Sequence, residues 1–146
     1  MGALTLLRSI LLAAVLAAAL PASATSYQDM WWNPNESGWG INFTEQGGVI
    51  FATWFTYDAD GKPTWLSATA MPTAPRTFAG TLYRTTGPAF SAVPFDPTAV
   101  RRTEVGTMTL AFANGNSAAF HYEIGAVSQT KAITRQVFRA PGTVCQ

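Results

Sequence analysis

Beyond its first 24 residues the chain alternates apolar and polar side chains with a period of two, the spacing of strands buried on one face. Trp39, Ile41 and Phe43 alternate with Gly40, Asn42 and Thr44. Gly47-Gly48 then offers two positions that accept positive φ, so residues 49–57 return as the second arm of a hairpin. This run, VIFATWFTY, is apolar on both faces: Val49, Phe51, Phe55 and Tyr57 on one, Ile50, Ala52 and Trp54 on the other. Phe51 and Phe55 are read as the interior face, with Trp54 and Trp65 serving a second layer or a ligand. Asp58-Ala59-Asp60-Gly61 closes the run as a turn. Residues 62–71 form the next strand, with Pro63 at its start, where a ladder donor can be spared.

Phe78, Leu82 and Tyr83 mark a strand at 76–85. Pro88, Pro94 and Pro97 make 87–97 a long loop with a short irregular strand. Met108, Leu110 and Phe112 share one face of a strand at 103–113, and Phe120, Tyr122 and Ile124 one face of its return at 118–124, with Asn114-Gly115 as the hairpin signal between them. A last strand spans 127–138. Gly80-Thr81-Leu82 is echoed by Gly106-Thr107-Met108, too short a match to mark a duplication. No window past residue 24 shows a helical period with caps. Seven or eight strands joined in chain order by tight hairpins predict an all-β fold. An antiparallel up-and-down barrel is the first expectation, because closure removes exposed edges, and a β-sandwich is the alternative.

The first 24 residues read as a cleaved signal peptide. Arg8 supplies a basic start, residues 10–20 an apolar run, and Ala22-Ser23-Ala24 a small-residue exit. The apolar run is shorter than a bilayer span of about 20 residues. Residues 25–146 are then a single β-domain with an N-terminal arm at 25–37 carrying Trp31 and Trp32. The expected location is periplasmic or extracellular, with no membrane span after cleavage. Nine Lys and Arg face eight Asp and Glu. Arg8 leaves with the leader, so the exported chain is formally neutral and lacks the basic stripe that nucleic-acid binding needs. Cys145 is the one cysteine. It has no internal partner, which leaves an intermolecular disulfide, a reactive tail thiol or a tolerated free thiol.

Trp32-Asn33-Pro34, Glu36-Ser37-Gly38-Trp39-Gly40, the run from Phe51 to Asp58 and Gly61-Lys62-Pro63-Thr64-Trp65 follow the pattern W-x-P-x-E-S-G-x-G, W-x-x-Y-D, G-x-P-x-W. In this the chain resembles a family of exported bacterial proteins of unassigned function. The resemblance covers about residues 31–66, with Gly80-Thr81-Leu82 and Thr134-Arg135-Gln136 as further shared features. It implies export and a single module, and brings no activity. A looser similarity is to small barrels of the avidin and lipocalin type, in which a G-x-W opens the first strand and a late arginine packs over it. Gly38-Trp39 or Gly40, with Arg135 or Arg139, would take those parts, although Gly38 is followed directly by Trp39 and the strict spacing is absent.

Chemistry is sparsely marked. His121 precedes Glu123 by two residues on one strand face, but no G-x-S-x-G elbow designates a nucleophile. One histidine and one cysteine are too few for structural zinc or copper, and Asp58-Ala59-Asp60-Gly61 lacks the remaining ligands of a calcium loop. No metal or other cofactor is expected. Asp58 and Asp60 are accounted for as turn formers. Glu36 lies among tryptophans, a setting that shifts a pKa or grips a polar ligand; its other reading is a cap for loop N–H groups.

Trp31, Trp32, Trp39, Trp54, Tyr57 and Trp65 suit a flat or grooved site for a sugar ring or an amphipathic molecule, since each large aromatic buries about 150–250 Å² and tryptophan keeps a polar N–H. Each alone also fits a core. Together they exceed what so short a span can bury, so at least one or two reach a pocket mouth or the surface. The candidate ligand-binding residues are these six with Glu36. Three functions follow. The first is a non-enzymatic binding module for a small amphipathic ligand, a glycan or an envelope protein, including an inhibitor of an envelope enzyme. The second is a structural subunit, a homo-oligomer linked through Cys145. The third is a small hydrolase using His121, Glu36 or Glu123.

Overall fold

The computed structural model describes residues 25–140; the expected signal peptide at 1–24 and Cys145 lie outside them. Eight strands follow one another: β1 (Asp29–Trp32), β2 (Gly40–Gln46), β3 (Val49–Tyr57), β4 (Pro63–Ala74), β5 (Thr77–Thr86), β6 (Arg101–Asn114), β7 (Ser117–Ile124) and β8 (Val127–Arg135). Each pairs antiparallel with the next, and β1 pairs with β8, so the sheet closes as an up-and-down barrel. The stretch read as an arm contains β1, the closing strand: Trp31 sits opposite Arg135 and Trp32 opposite Thr134. Residues 87–97 form no strand, and the only regular element of that connection is a 3-10 turn, Pro97–Ala99, capped by the Asp96 carboxylate accepting from the Thr98 N–H. β4 runs on past residue 71, where the sequence pattern ends the strand, and its register shifts between Pro72 and Ala74.

The hairpin at Gly47 (φ 59°) and Gly48 (φ 76°) pairs Gln46 with Val49 and thereby places Ile41 opposite Trp54 and Phe43 opposite Ala52. Opposite residues of an antiparallel pair share a face. Ile41 and Phe43 are buried, so Ile50, Ala52 and Trp54 turn inward with them, while Phe51 (48% exposed) and Phe55 (39%) face out. The expected assignment of the two faces of β3 is therefore reversed. Small inward residues, Ala52, Ala68 and Ala70, make room for the large rings that fill the barrel. Outside, the Phe55 ring lies across Gly40, where a Cβ would come within 2.7 Å of it.

Those rings form two layers. At one end Tyr27 stacks on Phe112 at 3.7 Å, and Phe78, Trp31 and Phe43 join them edge-on or tilted. Toward the other end Trp39, Trp54, Phe120 and Tyr122 pack together. The first layer is sealed by Arg135, whose guanidinium lies 5.2 Å from the Trp31 ring centre. Its nitrogens donate to the carbonyls of Gly115 (2.9 and 2.7 Å), Gln28 (2.7 Å) and Ser26 (2.9 Å) and to the Asp29 carboxylate (3.1 Å). An arginine does cover a tryptophan, but the pair is Arg135 with Trp31, a residue of β1, and not with Trp39.

The short echo in the sequence acquires a geometric meaning. Gly80 pairs with Met108, Thr81 with Thr107 and Leu82 with Gly106, so the two triplets lie side by side in β5 and β6, related by a local two-fold axis. Each glycine faces the other triplet's large buried residue and lets a neighbouring backbone pass close. A Cβ at Gly106 would collide with the Glu123 carbonyl of β7, and one at Gly80 with the Thr69 carbonyl of β4. Gly106→Ala is expected to lower the unfolding free energy by about 1–3 kcal/mol, the usual range for forced overpacking. Urea unfolding measures this, and a variant as stable as the parent would mean that β6 and β7 yield there freely.

The exterior mixes hydroxyls and amides with an apolar face. Asn42, Thr44, Thr69, Thr107 and Thr130 are exposed there, and so are Phe51, Phe55, Tyr57, Trp65 and Met71. Among the described residues no helix is long and apolar enough to cross a membrane.

Candidate functional site

β1 stops after four residues, and residues 33–39 carry the chain from it to the start of β2. Asn33 organises this segment: its carbonyl accepts from the Glu36 N–H (3.0 Å) and its side chain from the Asn35 N–H (2.9 Å). Gly38, at φ 120°, allows the reversal that returns Trp39 toward the barrel. Glu36 is thereby aimed at the second aromatic layer. Its Oε2 accepts the indole N–H of Trp39 at 3.1 Å, and its Oε1 accepts from Lys131 Nζ at 3.0 Å.

Glu36, Trp39, Trp54, Thr56, Tyr122 and Lys131 line a cleft of about 230 Å³ at the end of the barrel away from Arg135. The hydrogen bond from Lys131 is the main cause that holds the Glu36 carboxyl below its ordinary range; desolvation opposes it, and the Trp39 hydrogen bond and the lysine charge add to the lowering. Burial raises the Tyr122 hydroxyl above its ordinary value, and that hydroxyl donates to Gln129 Oε1 at 2.6 Å. Trp54 is 6% exposed. Its Nε1–H is the one buried side-chain nitrogen or oxygen among the described residues that has no hydrogen-bond partner. Leaving such a donor unmet costs about 1–3 kcal/mol.

The seven sequence candidates separate into three places. Glu36, Trp39 and Trp54 come together in the cleft. Trp31 is fully buried in the opposite layer, its N–H donating to the Tyr27 carbonyl at 2.9 Å, so it packs the core. Trp32, Tyr57 and Trp65 lie outside the barrel. Trp32 borders an outer groove of about 440 Å³ with Gly38, Trp39, Phe55, Gln136 and Phe138, while Tyr57 and Trp65 are exposed. Trp39 lines both hollows and is the partition between them.

Thr56, Tyr122 and Lys131 complete the cleft and were not singled out by sequence. The signal for Lys131 lies in its own strand. Lys131, Ile133 and Arg135 alternate on one face, and the apolar member marks that face as inward. Tyr122 shares its face with the buried Phe120 in the same way.

His121 points the other way from Tyr122. Its Nδ1 is 3.0 Å from the Thr130 hydroxyl and its Nε2 3.5 Å from Glu123 on the exposed outer face, so it does not converge with Glu36. Asp58 serves its turn, accepting from the backbone N–H groups of Lys62 and Asp60, and these bonds lower its pKa. No group of three His, Cys, Asp or Glu side chains that could hold a metal occurs among the described residues.

The chain matches no family model, no curated protein and no solved structure.

Proposed function

We propose that the barrel is an exported binding module whose cleft takes a small amphipathic ligand. The observation that carries this reading is the make-up of the cleft: Trp39, Trp54 and Tyr122 wall a hollow that also holds the Thr56 hydroxyl and is bordered by the Glu36–Lys131 ion pair. Apolar walls with a few converging polar groups are what small-molecule sites are made of. At about 230 Å³ the hollow is smaller than the usual drug-sized pocket of about 300–1,000 Å³, so it fits a single ring or the ring end of something larger. Export rests on the basic, apolar and small-residue order of residues 1–24.

The test is a calorimetric titration of residues 25–146 with a panel of monosaccharides, aromatic acids and amides, and short aliphatic acids. Binding by at least one class is expected. Thr56→Phe, which fills the cleft, should abolish it, and Trp65→Phe, on the outside, should leave it unchanged. Binding that survives Thr56→Phe would place the site elsewhere, and silence across the panel would count against a small-ligand role.

A further inference from the structure

The polar groups of the cleft offer both halves of a hydrogen bond. The Glu36 carboxylate accepts from Lys131 with one oxygen and from Trp39 with the other, and each oxygen keeps a lone pair. The Lys131 ammonium has three N–H bonds to give and places one on Glu36. Tyr122 gives its proton to Gln129, and its oxygen can still accept. Thr56 brings a hydroxyl that does both. The side chains of Glu36 (38% exposed) and Lys131 (26%) keep accessible surface beside the hollow, so a guest can reach them.

A charged guest gains little from this set. A carboxylate drawn to Lys131 meets Glu36 3.0 Å from it, an ammonium drawn to Glu36 meets Lys131, and either must shed its own water. A hydroxyl has no charge to desolvate and is donor and acceptor at once. Spacing then selects among hydroxyl compounds. The two oxygens of a gauche vicinal diol stand about one hydrogen-bond length apart, as do Glu36 Oε1 and Lys131 Nζ. One hydroxyl of such a pair can donate to the carboxylate while its neighbour accepts from the ammonium, and the ion pair stays closed. Both are charge-assisted hydrogen bonds, the stronger kind. The same carboxylate holds the Trp39 N–H and so orients the indole beside the diol position.

We infer that the cleft takes a neutral saturated ring with two adjacent hydroxyls, a pyranose or a cyclitol, its diol on the Glu36–Lys131 pair and its C–H face against Trp39 and Tyr122. This inference rests on the binding reading above and names the ligand class of that site. The volume of about 230 Å³ admits one such ring.

Three probes share one ring and differ only in their hydroxyls: cis-1,2-cyclohexanediol, cis-1,4-cyclohexanediol and cyclohexanol. In NMR titrations of residues 25–146 the 1,2-diol should bind at least about tenfold more tightly than the other two, about 1.4 kcal/mol. Cyclohexylamine and cyclohexanecarboxylate should be as weak as cyclohexanol, and in the wider panel the monosaccharides should lead the acids. Lys131→Met removes one arm of the pair. It should bring the 1,2-diol down to the level of the 1,4-diol and leave cyclohexanol unchanged, whereas a lysine that only props the cleft open would weaken all three alike. The comparison of the two diols needs no variant, so it stands even if Lys131→Met folds poorly.

A 1,4-diol, cyclohexanol or a charged analogue binding as tightly as the 1,2-diol overturns the diol rule, as does a 1,2-diol preference that survives Lys131→Met. Binding blocked by Thr56→Phe keeps the module itself in those cases. If none of the probes shows binding that Thr56→Phe blocks, the diol rule fails. If the wider panel is silent as well, the binding reading fails with it.

Discussion

Arg135→Met is expected to lower the unfolding free energy by about 3–5 kcal/mol, the range for breaking a buried ion pair from one side. The side chain is 5% exposed, and its Asp29 partner 16%. Methionine matches the length and apolar stem of arginine but supplies none of the five hydrogen bonds. The Ser26, Gln28 and Gly115 carbonyls each lose a donor, and Asp29 loses its cation. Two of those carbonyls belong to the segment that leads into β1, whose pairing with β8 is confined to Trp31 and Trp32. The barrel seam is therefore the part that should open first. Lysine is no substitute, because a single ammonium cannot span carbonyls that a planar fork reaches together. Urea unfolding gives the magnitude, and hydrogen exchange should show β1 and β8 losing protection before β3 to β6. A loss below about 1 kcal/mol would mean that aromatic packing alone holds that end.

The second large effect is Trp31→Ala, expected at about 3–5 kcal/mol, as for other buried aromatic truncations. The indole is fully buried against Phe43 and Phe112 and lies under Arg135. Trp65→Ala is the matched control on the outer face and should stay within about 0.5 kcal/mol of the parent. The contrast separates two tryptophans that sequence alone placed in one set of ligand-binding residues. Equal losses in the two variants would show that Trp65 is covered in solution, in a self-association that gel filtration would detect. Because Trp31 and Arg135 touch, their double variant should lose less than the sum of the single losses.

Much of the barrel was readable because its strands alternate and its hairpins are short. Ile41 and Phe43, or Leu110 and Phe112, leave no doubt about which face is apolar. β3 is different. VIFATWFTY is apolar in both registers, so period two has no vote there, and reading Phe51 and Phe55 as interior put the inside on the wrong face. Yet the deciding information was in the sequence. A two-residue turn at Gly47-Gly48 sets Gln46 against Val49, and counting outward from it pairs Ile41 with Trp54. β1 was harder to see. Four residues, DMWW, are too few to show a period, and the β8 residues opposite them lie about a hundred positions away in the chain. The cleft was half legible for a related reason. Glu36, Trp39 and Trp54 are close in sequence, whereas Tyr122 and Lys131 reach them only through closure of the sheet, and a lysine in a strand looks like an outward residue until Ile133 beside it is used to fix the face.

The two ends of the barrel differ, and this bears on the timing of any binding event. With Arg135 and the Tyr27–Phe112 stack sealing one end, the molecule is a cup and not a pipe. Whatever the Trp39–Trp54 cleft holds must arrive and depart through a single doorway, in strict turn, and an incoming molecule cannot drive out the occupant from behind. The residence time of a ligand bound as proposed would then be governed by the rim, where the Trp39 indole is held by its hydrogen bond to Glu36 and its packing on Trp54 and Phe120.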